Sequence, residues 1–157
     1  MTWAQGRERV EELLSAGELE RVASSEALVG RLVAEAEKHL AAAEAIEAID
    51  ETGAFQLAYD GARKACSALL AQQGLRSTTR GGHVAVQDTM RAQFGGRGGV
   101  TAFDSLPRLR RKRAASEYPD AETPTTTGDD ARDAVEAAHG IIAAVKSLLE
   151  TGDLDRF

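Results

Sequence analysis

The fold class is set by residues 26–49, EALVGRLVAEAEKHLAAAEAIEAI, which follow Ser24 and Ser25. A serine directly before a glutamate is typical of a helix start. The apolar residues then recur at steps of three and four, which places them on one side of a helix. These residues are Leu28, Leu32, Ala36, Leu40, Ala43, Ile46 and Ile49. The stretch therefore predicts one long amphipathic helix, and residues 50–53 (DETG) are expected to end it.

The same kind of pattern predicts five more helices along the chain. They are expected at residues 2–16, 54–73, from about His83 to Phe94, from Asp104 or Ser105 to Tyr118, and at 129–150. Pro107 falls in the first turn of the fifth of the six helices, where a missing N–H does no harm. Residues 75–82, 95–99 (GGRGG) and 119–128 are expected to be loops, and no segment has the period of a β-strand.

Composition agrees with an all-α domain. Alanine, leucine, glutamate and arginine dominate the 157 residues, and these are strong helix formers. We expect one domain with an N-terminal helix (1–17), an antiparallel, up-and-down bundle of four to five helices (25–150) and a tail (151–157). The single cysteine, Cys66, is expected in the core, and the absence of a long apolar run predicts a cytoplasmic protein with no membrane contact.

Metal and cofactor sites are not expected. One cysteine and three scattered histidines do not provide the ligand spacing of a zinc site. The glycine-rich segment 95–99 follows no strand and lacks the Gly-Lys-Ser/Thr ending of a phosphate-binding loop. The sequence therefore predicts neither a metal nor a cofactor.

Positive charge is concentrated between Ala54 and Tyr118. That segment has eleven lysines and arginines against four acidic residues, a net charge of +7, while the whole chain has a net charge of −6 and the remainder therefore −13. Such an asymmetry predicts a face for an anionic partner, either nucleic acid or an acidic protein surface. The alternative is that the acidic and basic parts of the chain neutralise each other inside one bundle.

The densest basic run is PRLRRKRAASEY at residues 107–118, within the predicted fifth helix. On a helix, Leu106, Leu109, Arg113 and Ser116 fall near one line. Arg113 is therefore directed toward the apolar side of the helix, where a guanidinium needs a partner to offset the loss of its hydration.

Two interpretations of Arg113 stay open. In the first, it forms an ion pair with Glu117 one turn away, and the basic residues Arg108, Arg111 and Lys112 make a solvated face. In the second, Arg113 lines a cationic cleft for phosphate, because the planar guanidinium can donate two hydrogen bonds to one phosphate group.

Two segments together resemble the HEPN family, prokaryotic helical bundles linked to toxin–antitoxin, defence and nucleotidyltransferase systems. The first is AYDGARKACSALLAQQGLR at residues 58–76, which resembles the family's second core helix. The second is LRRKRAASEY at residues 109–118, which resembles its signature helix. The resemblance covers residues 25–150. It implies an up-and-down, HEPN-like bundle, often dimeric, in which the signature helices of two protomers face one cleft.

In ribonuclease members of the family, the signature helix has an arginine followed four to six residues later by a histidine. If Arg111 takes the arginine place here, Ser116 stands in the histidine place and Tyr118 in that of a trailing tyrosine. If Arg113 takes it, Tyr118 stands in the histidine place. Neither serine nor tyrosine readily exchanges a proton at neutral pH, whereas imidazole does. His83, from another helix, is the residue that could stand in.

We therefore expect a non-catalytic HEPN-like domain that binds RNA, a nucleotide or an acidic protein partner through its basic fifth helix. The candidate binding residues are Arg63, Lys64, Arg80, His83, Arg108, Arg110, Arg111, Lys112 and Arg113. One alternative is a metal-independent endoribonuclease, with catalytic candidates Arg111, Arg113, Ser116, Glu117 and Tyr118. The other is a structural adaptor. The resemblance further implies a homodimer and a neighbouring-gene partner, either a nucleotidyltransferase or the other half of a toxin–antitoxin pair.

Overall fold

Six α-helices dominate the computed structural model, which describes residues 5–95, 100–152, 154 and 156–157. The helices are α1 (Arg7–Ser15), α2 (Glu26–Ile46), α3 (Glu51–Gln72), α4 (Gly82–Phe94), α5 (Leu106–Glu117) and α6 (Gly128–Thr151). Two short strands, β1 (Leu19–Arg21) and β2 (Leu75–Ser77), and a 3₁₀ turn (Thr101–Ser105) complete the described structure. The predicted all-α bundle is confirmed. None of the described helices is both long and apolar enough to cross a membrane.

Helix α3 lies at the centre of the bundle. It packs along α2 on one side and along α6 on the other, and it also contacts α4 and α5. Its apolar face is buried as the sequence predicts, and Cys66 lies in the core. The fully buried side chains of this face include Phe55, Ala58, Ala62, Cys66 and Leu69. A central position lets polar residues on the rest of α3 meet side chains from α4 and α5.

The boundary between α2 and α3 differs from the prediction. Residues 50–53 were expected to be a break, but the Asp50 side chain accepts a hydrogen bond from Gly53 N at 2.8 Å and caps α3, which begins at Glu51. Asp50 is a favourable cap because its carboxylate satisfies an N–H that has no partner within the helix. Helix α2 consequently ends at Ile46, and Ile49 is not part of the apolar stripe but 82% exposed.

The first helix is shorter than predicted. Residues 2–4 of the predicted helix lie outside the described residues, and α1 begins at Arg7. Gly6 has a φ of 76° and lies so close to the backbone of α4 that a Cβ would stand 2.4 Å from Ala92 C. The chain cannot continue as a helix through this left-handed residue, so α1 starts after it.

The two-stranded sheet of β1 and β2 was not predicted, because three-residue strands are too short to show alternation. It joins the α1–α2 connection to the α3–α4 connection, with Glu20 opposite Arg76. Next to it, Thr78 N donates to Glu18 O at 3.0 Å, and a Cβ on Gly81 would lie 2.1 Å from the same oxygen. This small sheet and the residues next to it thereby hold the first turn of α4, where His83 lies.

The entry to α5 also differs from the prediction in one detail. Neither Asp104 nor Ser105 caps the helix, since the Ser105 hydroxyl donates to Ala102 O at 2.9 Å within the 3₁₀ turn. Pro107 lies in the first turn of α5, as predicted. Helix α4 ends at Phe94, directly before the predicted glycine loop at 95–99. Residues 96–99 of this loop lie outside the described residues.

Candidate anion-binding site

Part of the basic segment is neutralised by acidic residues on neighbouring elements. On α5, Arg108 pairs with Asp133, and Lys112 Nζ lies 3.0 Å from Asp130 Oδ2, both partners belonging to α6. On α3, Lys64 Nζ lies 2.8 Å from Glu35 Oε2 of α2. A fourth pair joins Arg76 of β2 to Glu20 of β1 at 2.7 Å.

These pairs link the basic segment to parts of the chain outside it. The charge asymmetry is therefore offset in the fold at Lys64, Arg76, Arg108 and Lys112. All eight side chains keep contact with solvent, and surface pairs of this kind contribute about 0–1 kcal/mol each, so their effect on stability is small. They do occupy the cations, which makes Lys64, Arg108 and Lys112 weaker candidates for binding an external anion than the sequence indicated.

A second group of side chains faces inward, and we call it the inner cluster. All of its members are basic except one tyrosine. It consists of Tyr59 and Arg63 on α3, His83 on α4, and Arg110 and Arg113 on α5. The side chains of Arg63 and Arg113 are only 27% and 22% exposed, and Tyr59 is 2% exposed. His83 and Arg110 are half-buried. The inner cluster is thus a polar site set into the bundle where three helices meet.

Helical spacing explains how the sequence builds this site. Tyr59 and Arg63 are four residues apart on α3, and Arg110 and Arg113 are three apart on α5, so each pair shares one face. Leu106 and Leu109, which are buried, fix the rotation of α5. Arg113 consequently points toward the bundle interior, as the sequence predicted.

Each inner arginine has a nearby group that helps to hold it. Arg113 Nη1 donates to Glu117 Oε2 at 2.5 Å, and Arg110 Nε donates to Gln87 Oε1 at 3.1 Å. Asp60 Oδ1 lies 3.8 Å from Arg63 Nε, close enough for ion pairing but too far for a hydrogen bond. The pair between Arg113 and Glu117 that the sequence suggested is therefore present.

The Nε–H groups of Arg63 and Arg113 are buried and form no hydrogen bond with any described residue. A buried donor without a partner costs about 1–3 kcal/mol, so native proteins usually satisfy such groups. Two such groups, both on guanidiniums, occur in the inner cluster, and an anion that contacted either of them would gain a charge-assisted hydrogen bond.

His83 is the titratable group at the centre of the inner cluster. Its Nδ1 lies 3.2 Å from the Tyr59 hydroxyl, and the two rings are 5.6 Å apart. Burial, and then the positive charges of Arg63 and Arg113, lower the pKa of His83 below its usual value. The imidazole is therefore neutral at pH 7. Burial also raises the pKa of Tyr59 to about 12, so its hydroxyl keeps its proton.

The remaining candidates from the sequence lie elsewhere. Arg80 and Arg111 are exposed and pair with no described residue. Ser116 Oγ donates back to Arg113 O at 2.9 Å and lines a separate cavity of about 200 Å³. Tyr118 is 80% exposed at the end of α5. The structure thus brings together Arg63, His83, Arg110, Arg113 and Glu117 and leaves the other predicted residues outside this site.

Three participants were missed by sequence reasoning. Tyr59 is not among the candidate residues from the sequence, but its buried ring presents a hydroxyl to His83. Asp60 and Gln87 were not considered, although they hold Arg63 and Arg110. The spacing of Tyr59 and Arg63 by one helical turn was the available signal.

The resemblance to the HEPN family rests on residues 58–76 and 109–118. The first segment forms most of α3 and the start of β2, the second forms most of α5, and α3 packs against α5. The structure therefore joins the two segments at the inner cluster. Comparison of the chain with models of protein families, with curated proteins and with solved structures gave no match.

Proposed function

We propose that the protein is an HEPN-like domain that binds a phosphate group of RNA or of a nucleotide in the inner cluster. One observation carries the proposal: Arg63 and Arg113, from two different helices, are both half-buried beside His83, and each has a buried Nε–H without a partner in the described chain. The ligand would therefore contact the inner face of α5, whereas the sequence indicated the basic fifth helix as a whole.

The electrostatics of the inner cluster support an anionic ligand. Arg63, Arg110 and Arg113 contribute three positive charges, while Asp60 and Glu117 contribute two negative ones. With His83 neutral, a net charge of +1 remains in a partly buried place, where a charge acts more strongly than in water. A phosphodiester, with one negative charge, matches this balance.

Binding should weaken with salt in proportion to the number of phosphates that meet these cations. For one phosphate held in the inner cluster by single-stranded RNA, we expect the logarithm of the binding constant to fall with a slope of about −0.7 against the logarithm of salt concentration, or roughly two- to three-fold between 50 and 200 mM. Fluorescence anisotropy with a uridine oligonucleotide having hydroxyl ends measures this slope. An affinity that does not change over this range would contradict phosphate binding.

One observation favours a second function, metal-independent RNA cleavage. The signature helix lacks a histidine, but the structure places His83 of α4 beside Arg113 and Arg63. A neutral imidazole can take the proton of a ribose 2′-hydroxyl as its oxygen attacks the adjacent phosphorus. The bond to the 5′ oxygen then breaks, and that oxygen takes the proton from the imidazolium. The two arginines would stabilise the extra negative charge on the phosphate during the attack.

Incubation of the purified protein with labelled RNA in a chelator separates the two functions. If the protein only binds, wild type should leave the RNA intact for hours. If it cleaves, the products should carry 2′,3′-cyclic phosphate ends, and both His83→Gln and Arg113→Ala should abolish them. Cleavage that survives in His83→Gln would point to a contaminating nuclease or to another residue as the proton carrier.

The wider role remains a proposal drawn from the resemblance. A homodimer would bring two inner clusters toward one cleft, and a partner from a neighbouring gene would be a nucleotidyltransferase or the second member of a toxin–antitoxin pair. An acidic protein surface could occupy the same cations, and a cytoplasmic location agrees with any of these roles.

A further inference from the structure

His83 is surrounded by charged groups from the two other helices of the inner cluster. It lies in the first turn of α4, half-buried, between α3 and α5. The titratable and charged residues that face it are Tyr59, Asp60 and Arg63 on α3 and Arg113 and Glu117 on α5. Whatever changes the balance among these charges therefore acts directly on the imidazole.

We infer that an anion seated between Arg63 and Arg113 binds together with a proton taken up by His83. The inference rests on the proposed function, because it concerns the same site. It makes occupancy of the inner cluster dependent on pH, with tighter binding under mildly acidic conditions.

The reason is the change in local charge when an anion binds. In the free protein, the charges of Arg63 and Arg113 act together with burial against the imidazolium. A phosphodiester between the two guanidiniums offsets their positive charge, while Asp60 and Glu117 continue to favour protonation. The pKa of His83 should therefore rise when the anion binds.

The Tyr59 hydroxyl allows His83 to change its protonation state without losing this hydrogen bond. With the imidazole neutral, the hydroxyl can donate to Nδ1, and with the imidazole charged, Nδ1–H can donate to the hydroxyl oxygen. Tyr59 keeps its proton across this pH range, since burial raises its pKa to about 12. Nε2 carries a proton in both of these states, so it is a donor for the bound anion, and the charged ring adds its positive charge.

The thermodynamic linkage between proton binding and anion binding gives the direction and size of the change in affinity with pH. Because the bound state holds the proton more tightly than the free state, affinity rises as pH falls through the pKa of the complex and levels off below that of the free protein. If the anion raises the pKa of His83 by about one unit, affinity should increase between pH 8 and pH 5 by a factor that approaches but does not exceed about ten.

The experiment uses a uridine oligonucleotide with hydroxyl ends, whose phosphodiesters do not titrate between pH 5 and pH 8. Isothermal titration calorimetry in buffers of different ionisation enthalpy measures affinity and the number of protons taken up. Wild type should take up a fraction of a proton at a pH between 5 and 8 and bind several-fold more tightly at pH 5 than at pH 8. His83→Gln should bind with an affinity that does not depend on pH, whereas His139→Gln, a change at an exposed histidine paired with Glu44, should behave as wild type.

The failure of this inference differs from the failure of the proposed function. Binding by wild type with equal affinity at every pH and no proton uptake would overturn the inference and leave phosphate binding intact. The same pH dependence in His83→Gln would overturn the assignment to His83. No binding at any pH in low salt would overturn both proposals. If His83→Gln does not fold, NMR titration of the wild type decides, because the chain has only His39, His83 and His139, and the His83 signal must titrate at higher pH with the oligonucleotide present.

Discussion

Arg113→Gln should weaken binding of the uridine oligonucleotide about 10- to 100-fold. The substitution removes a half-buried guanidinium whose Nε–H is buried and has no partner among the described residues. A hydrogen bond to a charged group contributes about 1.5–3 kcal/mol, and each 1.4 kcal/mol is a factor of ten in affinity. Anisotropy titrations at one fixed low salt concentration and pH 7 measure the change.

Arg111→Gln is the matched control, because it makes the same chemical change two residues away. Arg111 is exposed on α5 and pairs with no described residue, so its loss should alter affinity by no more than about three-fold through long-range attraction. Equal losses in the two variants would place the ligand on the outer face of α5 and contradict the inner cluster as the binding site.

A structural role for Arg113 makes a different prediction. If the arginine only holds the helix through Glu117, then Arg113→Gln and Glu117→Gln should lower the free energy of unfolding together, and their effects should be coupled. For an i,i+4 pair this coupling is about 0.3–0.5 kcal/mol, and a coupling near zero would contradict the structural role. The binding measurement and the unfolding measurement therefore test the two interpretations of Arg113 separately.

The fold could be predicted from the sequence because helical periodicity is a local signal. The stripe of α2, the buried face of α3 and the position of Pro107 in α5 all follow from steps of three and four and from simple rules on helix ends. The two-stranded sheet could not be predicted because its strands, residues 19–21 and 75–77, pair with residues that lie 54 to 58 positions away in the chain. Pairing over such a distance leaves no local pattern in either strand.

The candidate site could be predicted only in part, for a related reason. The inward direction of Arg113 follows from the positions of Leu106 and Leu109 on its own helix. The meeting of Arg113 with His83 does not, since it depends on how α4 and α5 pack against α3. The pairing of Arg108 with Asp133 likewise depends on the packing of α6. This pair neutralises Arg108, which the sequence alone assigned to a solvated basic face.

Phe103→Ala should lower the free energy of unfolding by about 3–5 kcal/mol, the usual loss for a fully buried phenylalanine. Phe103 is completely buried, and its ring centroid lies 5.7 Å from that of Phe94 on α4. In a chain of 157 residues, the loss corresponds to a fall of roughly 6–20 °C in melting temperature. Urea unfolding followed by circular dichroism measures the change in free energy.

The size of this effect reflects where Phe103 lies. Its 3₁₀ turn contacts both α4 and α6 and leads directly into α5, and its ring packs against Phe94 of α4, so Phe103 helps to fix α5 relative to α4. Tyr118→Ala is the matched control, because it removes an aromatic ring that is 80% exposed and should cost less than about 0.5 kcal/mol. A loss below about 1 kcal/mol for Phe103→Ala would mean that the turn is not anchored by this ring. The inner cluster would then need another explanation for the placement of α5.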